Sequence, residues 1–196
     1  MPDLSLFEVQ ARRKAAHDAG PGKYYVLHYR TRVTLAQPWQ NFISEVQGGG
    51  YDYFIERMLG RRAWNRITLR IEWRYIGRGG REPPHCDFPN KVAEHIFSFN
   101  TEADWEANWG GEVLLLDDTG QFNAHAAPAF EDLKITGRFG PRGNGSLLLM
   151  PTEHSWHGMQ PLQCPPGKLL KTFIVTVMAR HLTLWQWWRR LRGYLN

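Results

Sequence analysis

Residues 66–87 read RITLRIEWRYIGRGGREPPHCD, and their pattern decides the fold. Ile67, Leu69, Ile71, Trp73 and Tyr75 fall on one side of an extended chain; Thr68, Arg70, Glu72 and Arg74 fall on the other. Period-two alternation over a full strand length marks a β-strand with one apolar face. Gly77, Gly79 and Gly80 then turn the chain, and Pro83-Pro84 deliver His85-Cys86-Asp87. In extended backbone, residues i and i+2 point the same way. His85 and Asp87 can therefore reach one ion, with Cys86 turned away. An imidazole and a carboxylate on one side are two legs of the facial triad that holds non-haem iron(II). Alone, His-x-Asp is a weak signal, and a surface turn is the plainer reading of it.

The third leg should be a histidine on a strand far downstream. Residues 145–161, GSLLLMPTEHSWHGMQP, contain an apolar strand, a polar turn and a second short strand. His154 and His157 compete there. Three residues apart, they face opposite ways in a strand. His154 sits in the polar turn Thr152-Glu153-His154-Ser155, whereas His157 follows Trp156 and precedes Gly158-Met159, and His157 is the better placed. Beyond it, Lys171, Phe173, Val175 and Val177 share one strand face. That apolar row is expected to face inward, and a cation opening it needs an anion, because an unpaired buried charge is costly. A dicarboxylate lying between metal and Lys171 would supply it; otherwise Lys171 lies at the mouth, in water. Lys168, just after Pro165-Pro166-Gly167, is the alternative, and Arg70 or Arg74 would serve only if the strand twists the other way.

The rest of the chain fits a β-rich frame. Strands are expected over 23–30, 92–99, 111–116, 145–150, 155–160 and 169–179, separated by turn clusters such as GRFGPRGNG at 137–145. Helices are expected over 3–17, over 51–59 where Gly60 ends the run, and over the Trp-rich tail 181–196. The triple glycine 48–50 reads as a flexible joint. The loop 117–142, with Trp105 and Trp109, is expected to line an entrance, where Arg138 and Arg142 are solvated or attract an anion. The fold class is mainly β with flanking helices, a double-sheet jelly roll. One domain, 1–196, would comprise a helical part over about 1–60, a jelly-roll core over about 61–180 and a C-terminal helix over about 181–196.

Composition narrows the function classes. The chain has 196 residues, enough for one sizeable core. Aromatic residues make up 13%, nine of them Trp, which favours a ring-rich interior. The formal charge is +5, but its basic residues are scattered and form no dense stripe, which argues against nucleic acid. An anionic small ligand accounts for the sign equally well. Two cysteines, Cys86 and Cys164, do not make a disulfide scaffold. The N-terminus lacks a signal peptide's apolar stretch, and no apolar run approaches the ~20 residues of a membrane helix. The chain reads as soluble and cytoplasmic.

The stretch from Tyr75 to Lys171 resembles the prolyl-4-hydroxylase-type branch of the iron(II)/2-oxoglutarate-dependent dioxygenases. Tyr75-Ile76-Gly77 and a Gly-rich loop precede His85-Cys86-Asp87; Lys91 opens a strand ending Phe97-Ser98-Phe99-Asn100; Trp105 and Trp109-Gly110-Gly111-Glu112 follow. Gly145-Ser146-Leu147-Leu148-Leu149 and Ser155-Trp156-His157-Gly158-Met159-Gln160-Pro161 complete the series. The resemblance implies a double-stranded β-helix, iron(II) on His85, Asp87 and His157, 2-oxoglutarate as cosubstrate, dioxygen, and room for ascorbate. It implies that Lys171 anchors the far carboxylate and that Tyr75 lies near the near one, unless Tyr75 is a plain core tyrosine. Asn100 would orient a ligand or simply form a turn. Ser98 stands where some relatives place a tyrosine. An insertion around Cys164-Pro165-Pro166-Gly167 keeps Lys168 in play, and Lys replaces the family's frequent Arg. The implied reaction hydroxylates an unactivated C–H bond of a small molecule or a peptidyl residue, and fold-level analogy does not name which. Two other classes remain: a non-catalytic jelly-roll binding protein, and a membrane- or partner-binding protein acting through the basic, Trp-rich tail. For the tail, packing on the outer sheet is the plainer reading.

Overall fold

The computed structural model describes residues 24–29, 34–60, 67–87 and 91–179; the helices expected over 3–17 and 181–196 lie outside them. Nine strands run through the described residues: β1 Tyr24–His28, β2 Ile67–Ile76, β3 Glu82–His85, β4 Ala93–Ser98, β5 Val113–Asp117, β6 Lys134–Phe139, β7 Gly145–Leu149, β8 Trp156–Met159 and β9 Leu170–Ala179. They form two antiparallel sheets, ordered β1-β2-β9-β4-β7 and β3-β8-β5-β6. This is the expected jelly roll.

Helices cover the outside of the first sheet. α1 spans Gln37–Val46, with Pro38 in its first turn, where a missing N–H costs nothing. Trp39, Phe42, Ile43 and Val46 recur at helical spacing and meet β2 and β9. α2 spans Gly49–Leu59 and ends at Gly60, whose φ of 60° is the left-handed cap that glycine tolerates. The triple glycine is thus a helix start: Gly48 caps α2, and Gly49 and Gly50 form its first turn.

The alternation of β2 sorts its two faces in an unexpected way. Ile71, Trp73 and Tyr75 join Phe173 and Val175 in one core with Leu35, Ile43 and Val46, beneath α1. Trp39 meets Trp73 edge-on at 5.7 Å between centroids, and Phe42 meets Phe173 at 4.9 Å. Each fully buried ring or branched chain here contributes roughly 1.5–3 kcal/mol. The apolar row therefore faces the helices. Arg74 reaches Glu82 on β3 of the second sheet, so the polar row faces the space between the sheets.

The outer face of the second sheet is also covered. Leu114, Leu116 and Trp156 pack with Leu133, Phe122, Ala126 and Phe130. The first part of the 117–142 segment is therefore a cover for this sheet, and Lys134–Phe139 pairs with β5 as β6. The turn-like sequence concealed that strand. Gly137 is the reason it fits, since a Cβ there would lie 3.1 Å from Leu115 Cδ1. Trp105 is buried in a cluster with Ile76, Met159, Leu162 and Leu170, with Trp109 packed against it. Arg138 pairs with Glu112 at 2.8 Å. Among the described residues, no helix is long and apolar enough to cross a membrane.

His95 on β4 is buried under α2, its Nδ1 3.1 Å from the Tyr51 hydroxyl. Burial pushes its pKa down to about 4. In the unfolded chain it would titrate at about 6.5. Below that value the unfolded state binds the proton first, so stability falls as pH drops from about 6.5 to 4. We expect His95→Gln, which keeps an acceptor for Tyr51, to flatten the melting temperature across this window in metal-free protein. Equal slopes for both proteins would remove His95 as the cause.

Candidate metal centre

The pairing of β3 with β8 builds the site. Its register places His85 opposite His157, and directly opposed residues of antiparallel strands project to the same face. The two rings lie 4.3 Å apart. Asp87, two residues after His85, points to the same side: Oδ1 lies 3.8 Å from His85 Nε2, and Oδ2 lies 3.5 Å from His157 Nε2. One ligand atom from each of the three residues lies within 4.8 Å of the others. Gly158 allows the strands to approach, since a Cβ there would fall 2.8 Å from the Glu82 carbonyl oxygen.

Backbone carbonyls set the tautomers. His85 Nδ1 lies 2.9 Å from the Pro83 oxygen, and His157 Nδ1 lies 3.1 Å from the Ser155 oxygen. A carbonyl only accepts, so each Nδ1 carries the proton and each Nε2 presents a lone pair toward Asp87. His157 Nε2 is buried and makes no hydrogen bond of its own. Two imidazole lone pairs and a carboxylate fit a divalent metal, and this donor set with open positions is that of non-haem iron(II).

Cys86 turns away from the centre, as alternation requires. Its thiol donates to the Thr152 oxygen at 2.9 Å, and the Ser155 hydroxyl donates to the same oxygen. The turn carrying His154 is thereby tied to the strand end carrying His85. His154 itself is exposed and pairs with buried Asp118 at 3.3 Å, outside the triad.

A chain of charges extends from the site. Lys91 Nζ lies 2.9 Å from Asp87 Oδ2 and 3.0 Å from Glu94 Oε1. Arg74 lies 3.8 Å from Glu94 and 4.0 Å from Glu82, and its Nε donates to Glu72. Glu72 in turn meets His28 at 3.1 Å and Arg70 at 3.4 Å. Burial alone would raise the pKa of Asp87, but His157 and Lys91 hold it well below the usual carboxylate range. Burial, then the neighbouring His157, lowers that of His85, favouring the neutral ring a metal needs. Burial opposes the charged form of His157 too, yet Asp87 and the Ser155 carbonyl raise its pKa.

The expected cosubstrate residues are only partly brought in. Ser98 is buried on the inner face of β4, in line with Glu94 and Ile96. Tyr75 belongs to the core beneath α1, the plain core tyrosine that was the alternative to a place near the cosubstrate's near carboxylate. Lys171 shares its face of β9 with Phe173 and Val175 and pairs with Asp104; that row faces the helices, not the interior. The register of β9 against β2 and β4 is the physical reason. Asn100 pins the strand there, accepting from the Lys171 amide at 2.6 Å and donating to the Leu169 oxygen at 3.1 Å. Lys168 is exposed and lies over the Trp109 ring, 5.7 Å from its centroid. Lys91, Glu94 and Thr172 entered no site reading from sequence. The polar half of the β2 alternation was the available signal for Arg74.

No protein-family model and no curated protein matches the sequence. Among solved structures the chain is similar to a prolyl-4-hydroxylase from Pseudomonas putida, with a TM-score of 0.53, 11% identity and coverage of 81% of this chain and 73% of that one. It is also similar to EvdO2 from Micromonospora carbonacea var. aurantiaca, with a TM-score of 0.44, 12% identity and coverage of 74% and 66%. An RmlC-like cupin protein from Desulfovibrio desulfuricans aligns with a TM-score of 0.28, 14% identity and coverage of 58% and 83%. The chain thus has the jelly-roll fold of the Pseudomonas putida protein, with a His-Asp-His group able to hold a metal.

Equilibrium metal binding by the purified protein tests the centre. His157→Ala should abolish tight uptake of one divalent ion, while His154→Ala and Cys86→Ser should retain it. Loss of the metal in either of the latter two would show that the ligand set is assigned wrongly.

Proposed function

We propose that the chain is a non-haem iron(II) oxygenase that uses 2-oxoglutarate. The observation that carries this reading is the opposition of His85 and His157 on paired strands, with both Nδ1 protons held by carbonyls and Asp87 between the two Nε2 atoms. His85, Asp87 and His157 would hold the iron on one face, leaving the opposite face for ligands. Iron(II) held there would supply dioxygen activation, with oxidative decarboxylation of the 2-oxo acid taking one oxygen atom and an unactivated C–H bond receiving the other.

The chain's own residues prepare that face. Lys91 holds one Asp87 oxygen, leaving the other toward His85. Pro83 and Ser155 carbonyls orient the imidazoles, and such outer partners typically matter 10–100-fold for metal affinity or activity. The substrate is a small molecule or a peptidyl residue. Ascorbate would serve only to keep the iron reduced.

Protein loaded anaerobically with iron(II) should consume dioxygen and release succinate from 2-oxoglutarate, across a substrate panel read by succinate and product mass together. Asp87→Ala should lose both signals, and Cys86→Ser should keep them. A protein that binds iron but releases no succinate with any candidate would favour the non-catalytic jelly-roll reading.

A further inference from the structure

A cosubstrate with a far carboxylate needs a cation inside the jelly roll, and β9 brings none. Its interior side is Leu170, Thr172, Ile174 and Thr176, since Phe173 and Val175 face the helices. The strand register offers a different receptor. Arg74 of β2 lies opposite Thr172 of β9, and Thr172 lies opposite Ser98 of β4. Opposed residues share a face, and neighbouring strands lie about 4.8 Å apart. A guanidinium stem and two hydroxyls therefore stand in one row about 10 Å long. Ser98 and Thr172 are buried, and the Arg74 side chain is 17% exposed. The next row along, Ile76 with Leu170, belongs to the apolar cluster of Met159 and Leu162, which forms a floor beneath the polar row.

We propose that the row Arg74–Thr172–Ser98 receives the far carboxylate of a 2-oxo dicarboxylic acid bound at the metal, so that the anchoring cation comes from β2 and not from β9. This rests on the oxygenase reading and deepens it. A guanidinium offers a planar fork that meets a carboxylate with two parallel hydrogen bonds, and hydroxyls can donate beside it. The Nε bond to Glu72, whose register partner is Ile174, holds the guanidinium on the Glu72 side of the row, and the carboxylate would meet it there beside Thr172. The incoming carboxylate has to share Arg74 with Glu82 and Glu94, which lie at 4.0 and 3.8 Å. The charge count permits this. Glu72 is matched by Arg70 as well as by Arg74. A divalent ion on the triad would add two positive charges beside Lys91 and Arg74, where Asp87, Glu82 and Glu94 supply the facing carboxylates, and so favours an incoming anion.

The test is calorimetric titration of 2-oxoglutarate into protein loaded with manganese(II), which keeps turnover out of the measurement. Arg74→Gln should raise the dissociation constant about thirty-fold or more, the usual consequence of losing one side of a hydrogen-bonded charge pair. Its manganese affinity should stay near that of the wild type. Lys171→Ala should leave both constants unchanged. Because Arg74→Gln strips a partner from buried carboxylates, a second variant guards against misfolding: Ser98→Ala combined with Thr172→Val should weaken 2-oxoglutarate several-fold at unchanged metal affinity. If the wild type binds 2-oxoglutarate and either Arg74→Gln or the double variant binds it equally well, the row is not the receptor. A large effect of Lys171→Ala would overturn it too. If the wild type takes manganese but no 2-oxoglutarate, the cosubstrate reading itself falls, and the row with it.

Discussion

Glu94 is a buried carboxylate facing the interior between the sheets, and the arrangement around it follows from that fact. A charge taken out of water must be paired, and breaking a buried pair typically costs 3–5 kcal/mol. Against a usual total stability of about 5–15 kcal/mol, that is a large share. Glu94 meets Lys91 on one side and Arg74 on the other. Through Lys91 it is linked to Asp87 and the metal centre; through Arg74 it is linked to Glu72 and the β1 edge. The ions thus connect β1, β2 and β4 to the strand end that carries the ligands. A metal site built on loops alone would move with them; this one is tied to the frame of the first sheet.

The two faces of β9 divide the work of the molecule. Phe173 and Val175 join the aromatic layer under α1, where burial of rings supplies stability. Thr172, Ile174 and Thr176 face the interior, where Thr172 lines up with Arg74 and Ser98. One strand therefore serves cohesion on one side and polar recognition on the other. Substitutions on the helix-facing side should act on stability, and those on the inner side on what the interior accepts.

Much of this was legible in the sequence. The β2 alternation and the presentation of His85 and Asp87 on one side follow from period-two geometry, which is local, and the polar turn around His154 set it apart from His157. The helix ending at Gly60 and most strand positions were legible for the same reason. What alternation cannot say is which face looks inward. Sequence reasoning takes the apolar face of a strand as the core side, but this sheet has an apolar cover of helices and a charged interior. That single inversion explains both Lys171 and Tyr75. α1 went unrecognised although Trp39, Phe42, Ile43 and Val46 have helical spacing, and the triple glycine, read as a joint, is the start of α2. β6 was hidden by its glycines for the converse reason: Gly137 reads as a turn but marks close packing on Leu115.

The place of β9 also bears on how the chain is made. β2 pairs with β9 along ten positions, residues 67–76 against 170–179, and β4 pairs with the same strand from its other edge. Until residue 179 has been synthesised, the first sheet exists only as two separate halves, β1 with β2 and β4 with β7. At ribosomal rates of about 5–20 residues per second, roughly 5–20 seconds pass between the emergence of β2 and that of its partner. Through that interval Trp73 has no Phe173 to pack against, and the edges of β2 and β4 that will receive β9 stand open. Unpaired strand edges beside apolar rings are the usual substrate of aggregation, so the nascent chain has a defined window in which a chaperone would matter, and β9 closes it.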